Sequence, residues 1–322
     1  MRLPLCDFAL VGGQGLGVDG GMTQSPSSHP TVGIFWMLVT GFCFVAVTAL
    51  VKWMGPAMPP AQSAFLRYLV GLLFLVPMLH GLRSATVTRR QWKLFGLRGF
   101  LHAAGVMLWF FAMTRIPIAE VTAMNYLAPV YVSIGAAVFL GEKLAARRIA
   151  AVVIALIGAA VILRPGFREV HPGHWAMLIA AVVFAGSYLL AKILADETKP
   201  TIVVAMLSLF VTLALAPFAA LNWVQPSWSD LGILVAVAFF AQAGHYTMTL
   251  AFAAAPVTVT QPITFLQLVW ATLLGVIVFD EAVDSYVILG GVLILASITF
   301  ITWREAVLNR GRITPTVPET KM

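Results

Sequence analysis

Arg98, His102, Gly105 and Trp109 recur at intervals of four, three and four residues, the spacing that aligns side chains along one face of an α-helix. A second set, Gln242, His245, Tyr246 and Thr249, falls on one helical face later in the chain. Both sets interrupt long apolar runs, as do Thr264 and Gln267. An ionisable side chain in the middle of a membrane helix costs about 2.5–3.5 kcal/mol on insertion scales, so each needs a reason. Imidazoles, amides and hydroxyls gathered in this way can bind and orient a polar solute.

They carry no enzyme signature. The sequence has no Ser or Cys nucleophile with a base at motif spacing, no Asp/His cluster of metal-ligand spacing and no Gly-x-x-x-x-Gly-Lys run. Gly15-Leu-Gly17-Val-Asp-Gly20 matches a dinucleotide fingerprint in letters only, because no strand precedes it and no helix opens from it. Cys6 and Cys43 are the only cysteines and support neither a disulfide framework nor a zinc site. No catalytic residue, metal or cofactor is expected.

The elements that position the polar residues must be membrane helices. Soluble chains carry about 25% charged residues, whereas this one has 10%, with 60% hydrophobic. The net charge of +7 falls between apolar runs and is no nucleic-acid signature. Crossing a hydrocarbon core of about 30 Å takes about 20 apolar residues. Ten runs qualify: 31–51, 61–79, 93–114, 118–140, 148–164, 174–194, 201–221, 231–252, 257–279 and 285–303. They are uniformly apolar, which excludes a barrel of alternating strands. The predicted fold is all-α and integral to a membrane.

Residues 1–30 read as a flexible tail, with Met22 a more natural start than Met1, so that 1–21 are expected to be an over-extended start. Residues 304–322 read as a second tail. An inside N-terminus would put Arg2, Arg83, Arg89, Arg90, Lys93, Lys143, Arg147, Arg148, Lys192, Lys199, Arg304, Arg310, Arg312 and Lys321 on the cytoplasmic side. The opposite side would hold only Lys52, Arg115, Arg164 and Arg168. That asymmetry predicts cytoplasmic termini and an even number of spans.

A shift of about 140 residues puts Lys52 on Lys192, Pro60 on Pro200 and Pro77 on Pro217, and a shift of about 139 puts Gly105 on Gly244, Pro117 on Pro256 and Glu142 on Glu281. Each half holds five spans, so the second crosses the membrane upside down relative to the first, as in transporters built from inverted repeats. The predicted units are 31–164 and 174–303.

Phe65-Leu66-Arg67, Leu97-Arg98-Gly99, Ile116-Pro117, Leu140-Gly141-Glu142 and Leu163-Arg164-Pro165-Gly166 stand at span positions where the chain resembles the EamA family of the drug/metabolite transporter superfamily. The likeness covers residues 31–303, and the Arg98 to Trp109 stretch looks most like the S-adenosylmethionine uptake and riboflavin transporter branches. It implies a carrier of small organic metabolites in a bacterial inner membrane.

Counting along the spans puts His102, Gln242, Thr264 and Gln267 at a similar depth near the midplane. Pro129 and Pro262 each lie within a span and free the carbonyls of Asn125 and Thr258. Such breaks line wet cavities or are filled by a neighbouring helix. Trp109, Tyr246 and Trp270 suit either a solute site or core packing. The expected substrate-binding residues are therefore His102, Trp109, Asn125, Gln242, His245, Tyr246, Thr264, Gln267 and Trp270. Glu120, in the first turn of its span, is a candidate for coupling or gating and equally a partner of the helix dipole. Arg98 and Arg67 are candidates for the same roles, with snorkelling and helix pairing as alternatives.

The resulting expectation is a secondary transporter moving a small polar or zwitterionic solute across a lipid bilayer by alternating access. Proton or other ion coupling is part of it, and nucleic-acid partners are not. An integral membrane enzyme and a channel are the alternatives.

Overall fold

The computed structural model describes residues 30–74, 87–140, 146–167, 169–195, 197–198, 200–255 and 257–313. The expectations on residues 1–29, the end of the second span, Glu142, Lys143, Arg168, Lys199 and 314–322 lie outside them. Among the described residues the regular elements are all helical. They are α1 (Pro30–Met54), α2 (Pro60–Phe74), α3 (Arg89–Met113), α4 (Ile118–Asn125), α5 (Leu127–Leu140), α6 (Ala146–Leu163), α7 (Pro172–Ala195), α8 (Pro200–Leu221), α9 (Trp228–Ala254), α10 (Val257–Thr260), α11 (Phe265–Phe279) and α12 (Ser285–Ile313). Among the described residues seven helices are long and apolar enough to cross a membrane, and α11 is a shorter apolar helix.

Capping decides two starts that hydropathy misjudges. The Thr88 hydroxyl accepts from the Gln91 N–H while the Gln91 side chain accepts from the Thr88 N–H, a reciprocal box that begins α3 at Arg89 rather than at residue 93. Ser227 and Asp230 do the same for α9. At the far end α12 runs past Trp303 to Ile313, because Arg304, Glu305 and Ala306 are good helix formers and the next proline is Pro315. The first part of the expected C-terminal tail therefore continues the last helix.

Two runs expected as single helices are broken. α4 and α5 part at Tyr126, one residue after the carbonyl that Pro129 cannot satisfy. α10 and α11 are separated by a 3-10 turn, Gln261–Thr264, that contains Pro262. The Tyr126 hydroxyl donates to the Thr264 carbonyl at 3.0 Å, so the two breaks are tied to each other.

α1 packs on α9, α3 on α7, α6 on α12, and α2 on α8. Fully buried large side chains run through the whole bundle, among them Phe110 on α3, Met124 on α4, Ile162 on α6, Met177 on α7, Leu234 on α9 and Ile294 on α12. Lipid tails are as apolar as these side chains, so close packing rather than water exclusion holds such helices together. The α6 and α12 backbones meet at Gly158 and Gly290: a Cβ on Gly158 would stand 2.7 Å from the Gly290 carbonyl.

Candidate functional site

His102 is the centre of the polar cluster. Its Nε2 shares a hydrogen bond with the Tyr68 hydroxyl at 3.0 Å, and its Nδ1 shares one with the Ser187 hydroxyl at 3.3 Å. A neutral imidazole has one donor and one acceptor, so one hydroxyl donates to it and the other accepts. The Phe184 ring lies 5.1 Å away, centroid to centroid, and the Tyr188 ring 6.5 Å. α3 brings His102 here because Gly105, one turn along the same face, lets Phe184 approach: a Cβ at Gly105 would lie 2.7 Å from that ring. Arg98, Arg67 and His245 are the electrostatic neighbours of His102.

Arg98 is buried, 7% exposed, on the same inward face. Its Nη1 donates to the Val203 carbonyl at 2.9 Å, while its Nε has no hydrogen-bond partner among the described residues. The Arg67 guanidinium sits over the Tyr68 ring at 4.3 Å, a cation–π contact that holds it beside the cluster.

Two residues mark an open space inside the bundle. On α9 the buried side runs through Leu234, Val237, Ala238, Ala241, Gly244 and Thr247. His245 falls on that side by helical register and is nevertheless exposed. Tyr188 likewise shares an inward face with Met177, Phe184 and Ser187 and remains 44% exposed. Both therefore face an interior opening rather than lipid. Asn125, at the end of a helix otherwise buried or half-buried, is exposed in the same way.

The other predicted residues divide. Gln242, Thr264 and Gln267 are half-buried. Trp109 packs edge-on against Phe110 at 5.3 Å, and Trp270 fills the space over Gly41, where a Cβ would meet its ring at 3.2 Å. Tyr246 is 63% exposed and shares the outward stripe of α9 with Val235 and Phe239, so it stands apart from His245. Tyr68, Phe184 and Ser187 belong to the cluster without having been singled out from sequence. The spacing of Phe184, Ser187 and Tyr188 on one helical face was the available signal.

Glu120 lies elsewhere. It is 2% exposed and shares a hydrogen bond with the His174 imidazole at the start of α7. Around it the same end of the bundle holds two ion pairs, Lys52 with Glu281 and Arg164 with Asp284. An apolar groove of about 820 Å³ is lined by Phe265, Leu268, Val292 and Trp303, and none of the predicted site residues borders it.

The EamA-like transporter family matches residues 31–164 and 171–303. This chain belongs to that family. Among its relatives are a riboflavin transporter of Rhizobium johnstonii, 31% identical over 86% of this chain and 93% of that one, and a riboflavin transporter of Vibrio cholerae, 27% identical over 89% and 98%. An S-adenosylmethionine uptake transporter of Rickettsia prowazekii is 26% identical over 85% and 93%. A chain of known crystal structure, 20% identical, shares the fold with a TM-score of 0.56 over 88% of this chain and 98% of its own length. The EamA protein is thus an integral membrane transporter and not an enzyme.

Proposed function

We propose that this EamA protein is a secondary transporter of a small polar metabolite, of the size and polarity of riboflavin or S-adenosylmethionine, working by alternating access. The observation that carries the reading is the His102 cluster, with inward-facing yet exposed Tyr188 and His245 around it. Its side chains come from α2 and α3 in the first half of the chain and α7 and α9 in the second. Binding sites at the interface of two halves are the design of inverted-repeat carriers.

Ten spans in two inverted units, 31–164 and 174–303, are part of this proposal. Exchanging the halves maps span one on six, two on seven, three on eight, four on nine and five on ten. Under that exchange α1 against α9 becomes α7 against α3, and both pairs are in contact. The contacts of α2 with α8 and of α6 with α12 map on themselves. This closed set of contacts supports the two-unit reading. The asymmetry of Lys and Arg supports cytoplasmic termini in a bacterial inner membrane. A reporter fused after Arg312 that is active only on the outside would sink the orientation.

With the Lys52 end tied by the Lys52–Glu281 and Arg164–Asp284 pairs, the site is proposed to open from the opposite end and to reach the Lys52 end when those two pairs part. Purified protein in liposomes tests the function. A carrier gives saturable riboflavin uptake that preloaded unlabelled riboflavin accelerates, and an imposed proton gradient reads the coupling. Uptake that neither saturates nor responds to preloading would indicate a channel.

A further inference from the structure

Among the described residues no carboxylate pairs with Arg67 or Arg98, which stand beside Tyr68, His102 and Tyr188. Apart from Asp230 in the first turn of α9, the helices α2, α3, α7, α8 and α9 contain no Asp or Glu at all. Among the described residues the buried or part-buried acids Glu120, Glu281 and Asp284 are engaged with His174, Lys52 and Arg164 at the Lys52 end. A buried guanidinium without a counter-charge is expensive in a membrane interior, and Arg98 keeps a bare Nε as well. A solute that carries a negative charge can supply the missing counter-charge through paired N–H donors.

We infer that the solute accepted here is an anion on a planar aromatic frame, its carboxylate or phosphate answering Arg98 and Arg67 and its ring lying against Tyr188, which the buried Phe184 ring backs. The aromatic half rests on the stacked Phe184 and Tyr188 rings, 6.2 Å apart with planes 17° from parallel. Tyr188 offers the open face. A guanidinium binds carboxylate and phosphate through paired N–H donors, which makes Arg the side chain suited to this task. The same field repels a cationic solute, so a sulfonium compound such as S-adenosylmethionine is disfavoured here even though it is the named substrate of several relatives. This inference rests on the carrier reading for the location of the site, but the charge of the ligand is tested by binding alone.

The test uses the full chain in phosphatidylcholine liposomes and three flavins of one frame: riboflavin, its 5′-phosphate, and an analogue whose ribityl chain ends in an amine. Affinity is read from quenching of flavin fluorescence. The phosphate should bind at least about tenfold more tightly than riboflavin, a gap of about 1.4 kcal/mol, and the amine should bind least. In Arg98→Gln the preference for phosphate over riboflavin should collapse towards unity, while Arg98→Lys should keep part of it. Should Arg98→Gln not fold, the charge series on the unaltered protein still decides.

Equal binding of all three, tighter binding of the amine, or binding of none overturns the inference. So does a phosphate preference that disappears when phosphatidylglycerol is added, which would assign the counter-charge to lipid headgroups. Discrimination by charge without saturable uptake of any flavin would leave the anion site standing and sink the carrier reading instead.

Discussion

Lys52, in the last turn of α1, is ion-paired with Glu281 beyond the end of α11, although 229 positions separate them. The same ammonium donates to the Ile116 carbonyl at 3.0 Å, and Glu281 Oε2 accepts the Ile118 N–H at 3.0 Å. One carboxylate thus serves the free start of α4 and the end of α1. Asp280 makes this geometry reachable: it closes α11 in the left-handed conformation, φ 52°, and turns Glu281 back over the helix end.

Both side chains of that pair are largely sheltered, 18% and 12% exposed. Lys52→Met leaves Glu281 with its charge uncompensated and should destabilise the folded protein by about 1–3 kcal/mol, less than a fully buried pair would cost. The melting temperature of the detergent-purified protein checks this. The exchange Lys52→Glu with Glu281→Lys should recover part of the loss, and no recovery would show that the backbone contacts dominate.

Glu120 and His174 are buried together, with side chains 3% and 4% exposed. Glu120→Ala should cost about 1–3 kcal/mol by removing a buried hydrogen bond to the imidazole. Solute exchange per folded molecule should persist in Glu120→Gln, because the pair lies away from the His102 cluster. Loss of exchange at unchanged stability would return Glu120 to the gating or coupling role weighed from sequence.

His245 and Tyr246 are neighbours in sequence set about 100° apart around α9, one inward and one on the outward stripe. His245→Ala should lower riboflavin uptake by about tenfold or more, a loss of about 1.4 kcal/mol or more in binding or turnover. Tyr246→Phe, on the outward stripe, should leave uptake within about twofold, as surface changes away from a site do. Similar losses for both would contradict the inward placement of His245.

Gly158→Val tests the contact between α6 and α12. The added side chain meets the Gly290 carbonyl and Ile294 Cγ1, the latter at 2.9 Å from Cβ alone. Overpacking of that kind costs about 1–3 kcal/mol, so folded yield should fall. Gly71→Ala, where nothing lies within 4 Å of an added Cβ, is the control and should behave as the parent protein does.

Membrane class, the inward face of α3 and the proline breaks near Tyr126 and Thr264 were legible in sequence, because hydropathy, helical periodicity and a missing N–H are local properties. Helix starts needed capping, which is still local but invisible to a hydropathy window, as Thr88 and Ser227 demonstrate. The partners of the polar residues were not legible. His102 could be placed on a face and at a depth, yet Tyr68 and Ser187 reach it from α2 and α7, 34 and 85 positions away. Glu120 satisfied a helix dipole on paper and took His174 in space. Periodicity fixes rotation about a helix axis, whereas partners depend on which helices become neighbours and in what register. Only packing across the bundle decided that Tyr246 faces outward, that His245 faces inward, and that Arg98 meets a carbonyl rather than a carboxylate among the described residues.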